Sequence, residues 1–178
     1  EEKARIAQHA AGFVEPGMSV MVDDGSTSQA LAPHLAAIRP LTVITNNLGL
    51  ISDLSGKPGI ELIALGGNYA SKFNGFFGVV TEQALSRLRA DLAFISTPAV
   101  SGLRAFHMSD AVVGAKRAMM DAAQRRVLLV NHARFGRSAL HELAGLAEFD
   151  AIITDAPPAP EDRAAIDRAG LTLTIAED

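Results

Sequence analysis

Short apolar runs alternate with helical patterns along the whole chain. The runs are apolar throughout rather than at every second position, which is typical of strands buried on both faces of a parallel sheet. Seven strands are predicted in this way, at residues 19–22, 41–44, 61–65, 91–96, 127–130, 151–154 and 171–175.

Between these runs, apolar residues recur at helical spacing. Helices are predicted over residues 2–13, 27–36, 48–54, 80–88, 110–124 and 160–169. Residues 68–78 and 97–107 contain glycine or proline and are predicted to be irregular. The alternation predicts an α/β fold over residues 1–178, with a mostly parallel, Rossmann-like sheet and helices on both faces.

The end of the first predicted strand carries the most distinctive chemistry. Asp23, Asp24 and Gly25 form a turn there, and residues 26–28 lead into a helix. Ser26 followed by Gln29 fits a capping box, so the predicted arrangement leaves amides of Gly25, Ser26, Thr27 and Ser28 free to bind an anion. An ordinary capped turn without a ligand is the alternative.

Polar residues or glycines also follow the other predicted strands. In open α/β sheets, ligands bind beyond the carboxyl ends of the strands, so these groups are expected to meet. Thr45 and Asn46 are candidates to hold sugar hydroxyls, although helix capping explains them equally well. Gly66 and Gly67 suit a close backbone approach to a ligand, or only a tight turn.

A phosphate at this edge would need compensating charge, because Asp23 and Asp24 repel it. We expect an acid, Asp23, to hold sugar hydroxyls while the amides of residues 25–28 take the phosphate. Lys116 and Arg134 are the candidate cations, Lys as a point charge and Arg as a planar fork. A solvated lysine on a helix surface is the alternative for Lys116.

Composition narrows the class of protein. The 178 residues carry a net charge of −4, with no basic patch that would bind nucleic acid. No cysteine is present and the five histidines are not at metal-ligand spacings, so neither a metal nor another cofactor is expected. No apolar run is long enough to span a membrane and no signal peptide is recognisable, which favours the cytoplasm.

The ordered series of strand-end motifs resembles the effector-binding domain of DeoR-type transcriptional regulators. The resemblance covers nearly the whole chain and rests on Asp23-Asp24-Gly25-Ser26-Thr27, Val43-Ile44-Thr45-Asn46, Leu65-Gly66-Gly67, Gly78, Ala90-Asp91-Leu92-Ala93-Phe94, Lys116-Arg117, Phe135-Gly136 and Ile152-Ile153-Thr154-Asp155.

This resemblance implies a fold like that of ribose-5-phosphate isomerase and a phosphorylated sugar or polyol as effector. It also implies a winged helix-turn-helix, absent from this sequence, that binds operator DNA, so the chain is expected to be the sensor half of a repressor of a sugar or polyol catabolic operon. A homodimer or homotetramer is expected. Family members often carry Asp-x-Ser-Lys-Phe-Gly after the fifth strand, where this chain has Asn131, Ala133 and Arg134 in place of the acid, the serine and the lysine.

Two other classes of protein remain as alternatives. A sugar-phosphate isomerase or deaminase on the same fold would need a carboxylate beside the substrate carbon. The isomerase family has acids after the fourth strand, where this chain has none over residues 95–98, and we therefore expect no catalytic residues and no enzyme activity. A purely structural oligomerisation domain would explain the sheet but not the polar strand ends.

Overall fold

The computed structural model describes residues 1–177. Its strands, in chain order, are β1 (Ser19–Val22), β2 (Leu41–Thr45), β3 (Ile60–Ala64), β4 (Asn68–Ala70), β5 (Gly75–Phe77), β6 (Ala90–Ser96), β7 (Ala99–Ser101), β8 (Arg104–His107), β9 (Ala123–Leu129), β10 (His141–Gly145), β11 (Ala151–Thr154) and β12 (Leu173–Ile175). Its α-helices are α1 (Glu2–Ala11), α2 (Ser26–Gln29), α3 (Ala32–Ala36), α4 (Leu48–Leu54), α5 (Val79–Leu85), α6 (Asp110–Ala122) and α7 (Pro160–Arg168).

The seven predicted strands form one sheet in the order β12-β11-β9-β6-β1-β2-β3. Each pair of neighbours in this sheet is parallel, so the predicted α/β fold with a parallel sheet is confirmed. From β1 the chain moves outward to β2 and β3, and it later returns to the other side of β1 with β6. The strand order therefore reverses between β1 and β6, the kind of position where open α/β sheets open a ligand crevice.

Helices cover both faces of the sheet, which is why the buried parts of its strands are apolar without alternation. On one face, Val20 and Val22 pack in a cluster with Ile6 of α1 and Leu50 of α4. On the other face, Met21 packs in a cluster with residues of α5, α6 and α7. The sheet is therefore the middle layer between two cores, as predicted.

The predicted helix over residues 27–36 is broken into α2 and α3. Pro33 lies near the start of α3, and a proline ring clashes with the carbonyl four residues earlier, here that of Gln29. The helix beginning at Ser26 can therefore make only one turn before the chain restarts as α3.

The predicted capping box at Ser26 is wrong. The residue before α2 is Gly25, which has no side chain to cap the helix. Ser26 Oγ instead accepts a hydrogen bond from Lys3 Nζ at 2.7 Å. Gln29 Nε2 donates to Asp53 Oδ2 at 3.2 Å, so neither side chain makes the reciprocal bonds of the box.

Both stretches predicted to be irregular contain hairpins. Residues 68–78 include the antiparallel pair β4 and β5, and residues 97–107 include β7 and β8. β8 also pairs with β10, which the sequence pattern did not indicate, giving a small antiparallel sheet in the order β10-β8-β7. This small sheet brings His107, at the end of β8, to the main sheet's crevice.

Within residues 1–177, no helix is both long and apolar enough to cross a membrane.

Candidate functional site

A cleft of about 400 Å³ lies at the carboxyl ends of β1, β6 and β9. The residues that follow these strands form its walls, together with the start of α1 and the end of β8. They are Glu2, Lys3, Asp24, Gly25, Ser26, Thr27, Phe73, Ser96, Thr97, Pro98, His107, Met108, Lys116, Leu129, Asn131, Ala133, Arg134 and Arg137. The cleft therefore occupies the point where the strand order reverses.

The floor of the cleft is a buried cluster of charges. Lys116, on α6, is 2% exposed, and its Nζ donates a short hydrogen bond to Asp23 Oδ2 and lies 3.1 Å from Asp24 Oδ1. Asp23 is fully buried, and its carboxylate also accepts hydrogen bonds from Ser28 Oγ and, at 2.7 Å, from Ser96 N. One cation thus holds two acids and ties β1 to α6.

The protonation of this cluster reflects burial and mutual charge. Burial raises the pKa of Asp23 to about 6, although the Lys116 charge opposes this rise. Burial alone would lower the pKa of Lys116, but the charges of Asp23 and Asp24 outweigh it and hold that pKa above its ordinary value. Lys116 therefore remains a cation, and Asp23 and Asp24 compensate its charge within the protein.

Gly25 gives the turn above this cluster its shape. Its φ of +109° and ψ of 155° belong to a region that side chains rarely adopt, and a Cβ there would lie 3.0 Å from Ser96 Oγ. Asn47 fixes the same turn, because its Nδ2 donates to Asp23 O at 3.2 Å and Gly25 O at 3.1 Å. The backbone conformation of Gly25 and the two Asn47 hydrogen bonds thus define the shape of this turn.

Replacing Gly25 with alanine is expected to lower the free energy of unfolding by about 1–3 kcal/mol, the usual cost of a residue held in a disfavoured backbone conformation. Urea denaturation of the purified chain measures this change. The matched control is Gly66→Ala, at another strand end, where an added Cβ meets no atom within 4 Å. Equal unfolding curves for the two variants would contradict the assignment of strain to Gly25.

The rim of the cleft carries cations that are not neutralised. Arg134 and Arg137 are exposed, and within residues 1–177 no ion pair joins either to an acid. Four cationic side chains and two acidic ones line the cleft, Lys3, Lys116, Arg134 and Arg137 against Glu2 and Asp24. The lining is therefore net positive on a chain whose net charge is −4.

The first turn of α1 is bonded to two walls of the cleft. Lys3 Nζ donates to Ser26 Oγ at 2.7 Å, beside the turn after β1. Glu2 Oε2 accepts from Asn131 Nδ2 at 2.7 Å, in the segment after β9. These two bonds therefore tie the start of α1 to the cleft walls.

The sequence-predicted site residues are only partly brought together. Gly25, Ser26, Thr27, Lys116 and Arg134 line the cleft. Asp23 and Ser28 lie beneath it, fully buried and hydrogen-bonded to each other, so Asp24 rather than Asp23 is the acid in the wall.

The structure places Thr45, Asn46, Gly66 and Gly67 outside the cleft lining. Thr45 Oγ1 donates to Val22 O at 2.6 Å, and Asn46 Nδ2 donates to Phe76 O at 2.8 Å. Gly66 O accepts from Thr81 Oγ1 at 2.5 Å, and a Cβ on Gly67 would collide with the same hydroxyl. These residues follow β2 and β3, on the far side of β1 from β6, and their polar groups hold the fold together.

The lining residues that the sequence pattern did not indicate include Lys3, His107 and Arg137. Lys3 lies on a helix predicted only from its apolar face, and His107 ends a strand that was predicted to be irregular. Arg137 lies three residues beyond Arg134, and this closeness to a strand-end arginine was the sequence signal that could have indicated it as a lining residue.

Glu2, His132 and Asp155 lie together at the edge of the cleft, with potential ligand atoms within 4.8 Å of one another. The buried Asp155 accepts from His132 N at 2.8 Å and contacts His132 Nδ1 at 2.7 Å. Burial alone would raise the pKa of Asp155, but these hydrogen bonds outweigh it and hold that pKa below its ordinary value. Asp155 therefore anchors the segment after β9, and Glu2 is already paired with Asn131.

Comparison with known proteins finds transcriptional repressors among the relatives of this chain. The chain is 35% identical to the HTH-type transcriptional repressor GlcR of Bacillus subtilis over 99% of its own length and 68% of the relative's. It is 32% identical to the glycerol-3-phosphate regulon repressor of Escherichia coli, over 89% of its length and 63% of the relative's. The chain thus spans about two thirds of these relatives.

Among solved structures, ribose 5-phosphate isomerase A of Neisseria gonorrhoeae matches with a TM-score of 0.54, at 12% identity, over 75% of this chain and 52% of that one. At this identity the likeness concerns the fold, and it agrees with the fold implied by the sequence motifs. The family model described as the DeoR C terminal sensor domain matches residues 1–156. The chain therefore belongs to the family of DeoR C-terminal sensor domains.

Proposed function

We propose that this chain is the effector-binding part of a DeoR-type transcriptional regulator, and that a phosphorylated sugar or polyol binds in the cleft at the β1 and β6 strand ends. The observation that carries the proposal is the net positive lining at the switch point of the sheet, with two arginines that pair with no acid within residues 1–177. Such a lining favours an anionic ligand over a neutral one.

The phosphate would bind between the turn after β1 and the arginines. The first N–H groups of a helix have no acceptor within the helix, so Ser26 and Thr27 offer amides at the cleft wall. Arg134 and Arg137 would add charge-assisted, bidentate hydrogen bonds. Lys116 would contribute little directly, because Asp23 and Asp24 already neutralise it.

The carbon chain of the ligand would face the floor. Asp24 offers carboxylate oxygens for hydroxyl hydrogens, and Ser96 and Thr97 line the same wall. Asp23, Thr45 and Asn46, first expected to hold hydroxyls, would act indirectly by fixing the turn and its neighbours. This division reduces the repulsion between the acids and a phosphate, because Lys116 pairs with both acids and two serines also donate hydrogen bonds to Asp23.

The expected response is binding and release rather than turnover. An isomerase needs an acid or base that reaches the substrate. Asp23, the acid whose pKa burial raises toward neutrality, is fully buried and does not line the cleft. Asp24 does line it but is held by Lys116.

Ligand binding would be coupled to DNA binding through α1. The two relatives are named repressors, and this chain spans about two thirds of each, so we propose that operator DNA is bound by a further part of the whole protein. A ligand phosphate competing for Lys3 or Asn131 would change the position of the first turn of α1. Such coupling requires different ligand affinities in the two positions. We further propose a cytoplasmic homodimer or homotetramer.

Thermal melting against inorganic phosphate, glycerol 3-phosphate, hexose 6-phosphates and the unphosphorylated sugars tests the proposal. A ligand at a hundred times its dissociation constant should stabilise the fold by about 2.7 kcal/mol. We expect one or more phosphorylated compounds to stabilise the chain and to be recovered unchanged. Conversion of the compound would make the chain an enzyme, and the absence of any shift would contradict the cleft as an effector site.

Replacing Thr27 with phenylalanine is expected to weaken phosphate binding by roughly tenfold or more, because the ring would cover the amides that make charge-assisted hydrogen bonds. Isothermal titration calorimetry measures the affinity, and an unchanged melting temperature without ligand shows that the fold is intact. Thr172→Phe, at an exposed position before β12, is the matched control. Equal affinities for the two variants would contradict the proposal that the phosphate binds at the turn after β1.

A further inference from the structure

We infer that His107 positions the bound ligand, by donating a hydrogen bond from Nε2 to a hydroxyl or carbonyl oxygen of the ligand's carbon chain. The inference rests on the proposed function. It assigns a hydrogen-bond donor to the carbon chain of the ligand, which the phosphate contacts do not hold. His107 is 4% exposed and lines the cleft, so its small free surface faces the ligand space.

The hydrogen bonding of the ring decides which nitrogen carries the proton. Ser109 N donates to His107 Nδ1 at 3.0 Å, so Nδ1 keeps its lone pair and the neutral ring must be protonated at Nε2. Ser109 is also the residue that caps α6, its hydroxyl accepting from Val112 N at 3.4 Å. The start of α6 therefore fixes both the tautomer and the direction of the ring.

The ring is held in place but its donor is unused. Phe73 packs against it with ring centroids 5.2 Å apart at an angle of 60°. Within residues 1–177, Nε2 has no hydrogen-bond partner. Because His107 is only 4% exposed, a hydrogen bond from Nε2 to a ligand oxygen would form in a low-dielectric setting and would be stronger than one from an exposed histidine.

The groups around His107 favour a hydroxyl or carbonyl oxygen, rather than a phosphate oxygen, as the acceptor for Nε2. Burial, together with the positive charge of Lys116, lowers the pKa of His107 to about 4, so the ring is uncharged near neutral pH. Asp24 is close enough to act on the same pKa in the opposite direction. A neutral donor beside a carboxylate acceptor matches a hydroxyl-bearing carbon chain, whereas the phosphate is better served by the arginines at the rim.

Two substitutions separate the role of Nδ1, which accepts from Ser109 N, from the role of Nε2, which would donate to the ligand. In His107→Asn, the side-chain oxygen can still accept from Ser109 N, but nothing replaces Nε2. In His107→Gln, the longer amide brings an N–H near the position of Nε2 but removes the acceptor at Nδ1. His141→Asn is the matched control, because His141 lies opposite His107 on β10 and does not line the cleft.

Calorimetric titration of the intact chain with inorganic phosphate, glycerol 3-phosphate and fructose 6-phosphate gives the readout. For His107→Asn we expect the fructose 6-phosphate affinity to fall about tenfold, the inorganic phosphate affinity to stay within about twofold, and the melting temperature to be unchanged. His107→Gln should bind more tightly than His107→Asn despite melting at a lower temperature. His141→Asn should bind like the wild type.

The opposite ranking, with His107→Gln binding worse than His107→Asn, would show that the imidazole has only a structural role and would overturn the inference. Equal binding of fructose 6-phosphate by wild type and His107→Asn would do the same while leaving the cleft as an effector site. Failure of the wild type to bind any of the three probes would instead contradict the proposed function, and this inference with it.

Discussion

Replacing Lys116 with methionine is expected to lower the free energy of unfolding by about 3–5 kcal/mol, which is the usual loss when one partner of a buried ion pair is removed. Methionine keeps most of the volume of the side chain but leaves Asp23 and Asp24 as buried carboxylates without a cation. Urea denaturation near neutral pH measures the change.

The neighbouring residue supplies the control. Arg117→Met also removes a cation from α6, but the Arg117 side chain is 37% exposed and pairs with Glu148 at the surface, so we expect a loss of about 1 kcal/mol or less. Adding Asp23→Asn to Lys116→Met should restore part of the stability, because one uncompensated charge is removed. Equal losses for Lys116→Met and Arg117→Met would show that the buried cluster does not stabilise the fold.

The same variant should show a characteristic pH dependence. The pKa of Asp23 in the fold, about 6, lies above its ordinary value of 3.8, so its protonation favours the folded state. Its favourable contribution is complete below pH 3.8 and is lost as the pH rises through about 6. Without Lys116, which opposes the rise of this pKa, the loss extends to higher pH. The stability difference between wild type and Lys116→Met should therefore be small in acid and grow as the pH rises past about 6.

The sequence pattern was sufficient to predict the central sheet, because the parts of its strands that are covered on both faces are apolar at consecutive positions. Helix boundaries were less accurate where one residue interrupts the period, as Pro33 does between α2 and α3. The small sheet of β7, β8 and β10 escaped prediction because its strands are short and lie among glycine and proline residues. Such strands are stabilised by their partners rather than by their own pattern.

The position of the candidate cleft could be predicted from the sequence, but several of the residues that line it could not. Polar strand ends pointed to one edge of the sheet, yet only the ends of β1, β6 and β9 meet there, since β2 and β3 lie beyond β1. Strand order is a tertiary property that no local pattern carries. The roles of Asp23 and Asp24 follow from the period of a strand, because Asp23 continues the face of Met21 toward α6 and Lys116.

Removing both rim arginines is expected to have the largest effect on binding. A charge-assisted hydrogen bond contributes about 1.5–3 kcal/mol, so Arg134→Ala should weaken phosphate binding by roughly tenfold or more, and Arg134→Ala with Arg137→Ala by more than about a hundredfold. Arg134→Lys should lie between wild type and Arg134→Ala, because lysine keeps the charge but not the planar fork. Calorimetric titration with inorganic phosphate and glycerol 3-phosphate measures these affinities.

The pattern across ligands distinguishes this effect from that of His107. The arginine variants should lose affinity for inorganic phosphate and for sugar phosphates alike, since both ligands present a phosphate group. His107→Asn should lose affinity only for the sugar phosphates. Arg168→Ala, at an exposed position on α7 outside the cleft, should bind as the wild type does. If the double arginine variant retains wild-type affinity, the phosphate does not bind at this rim.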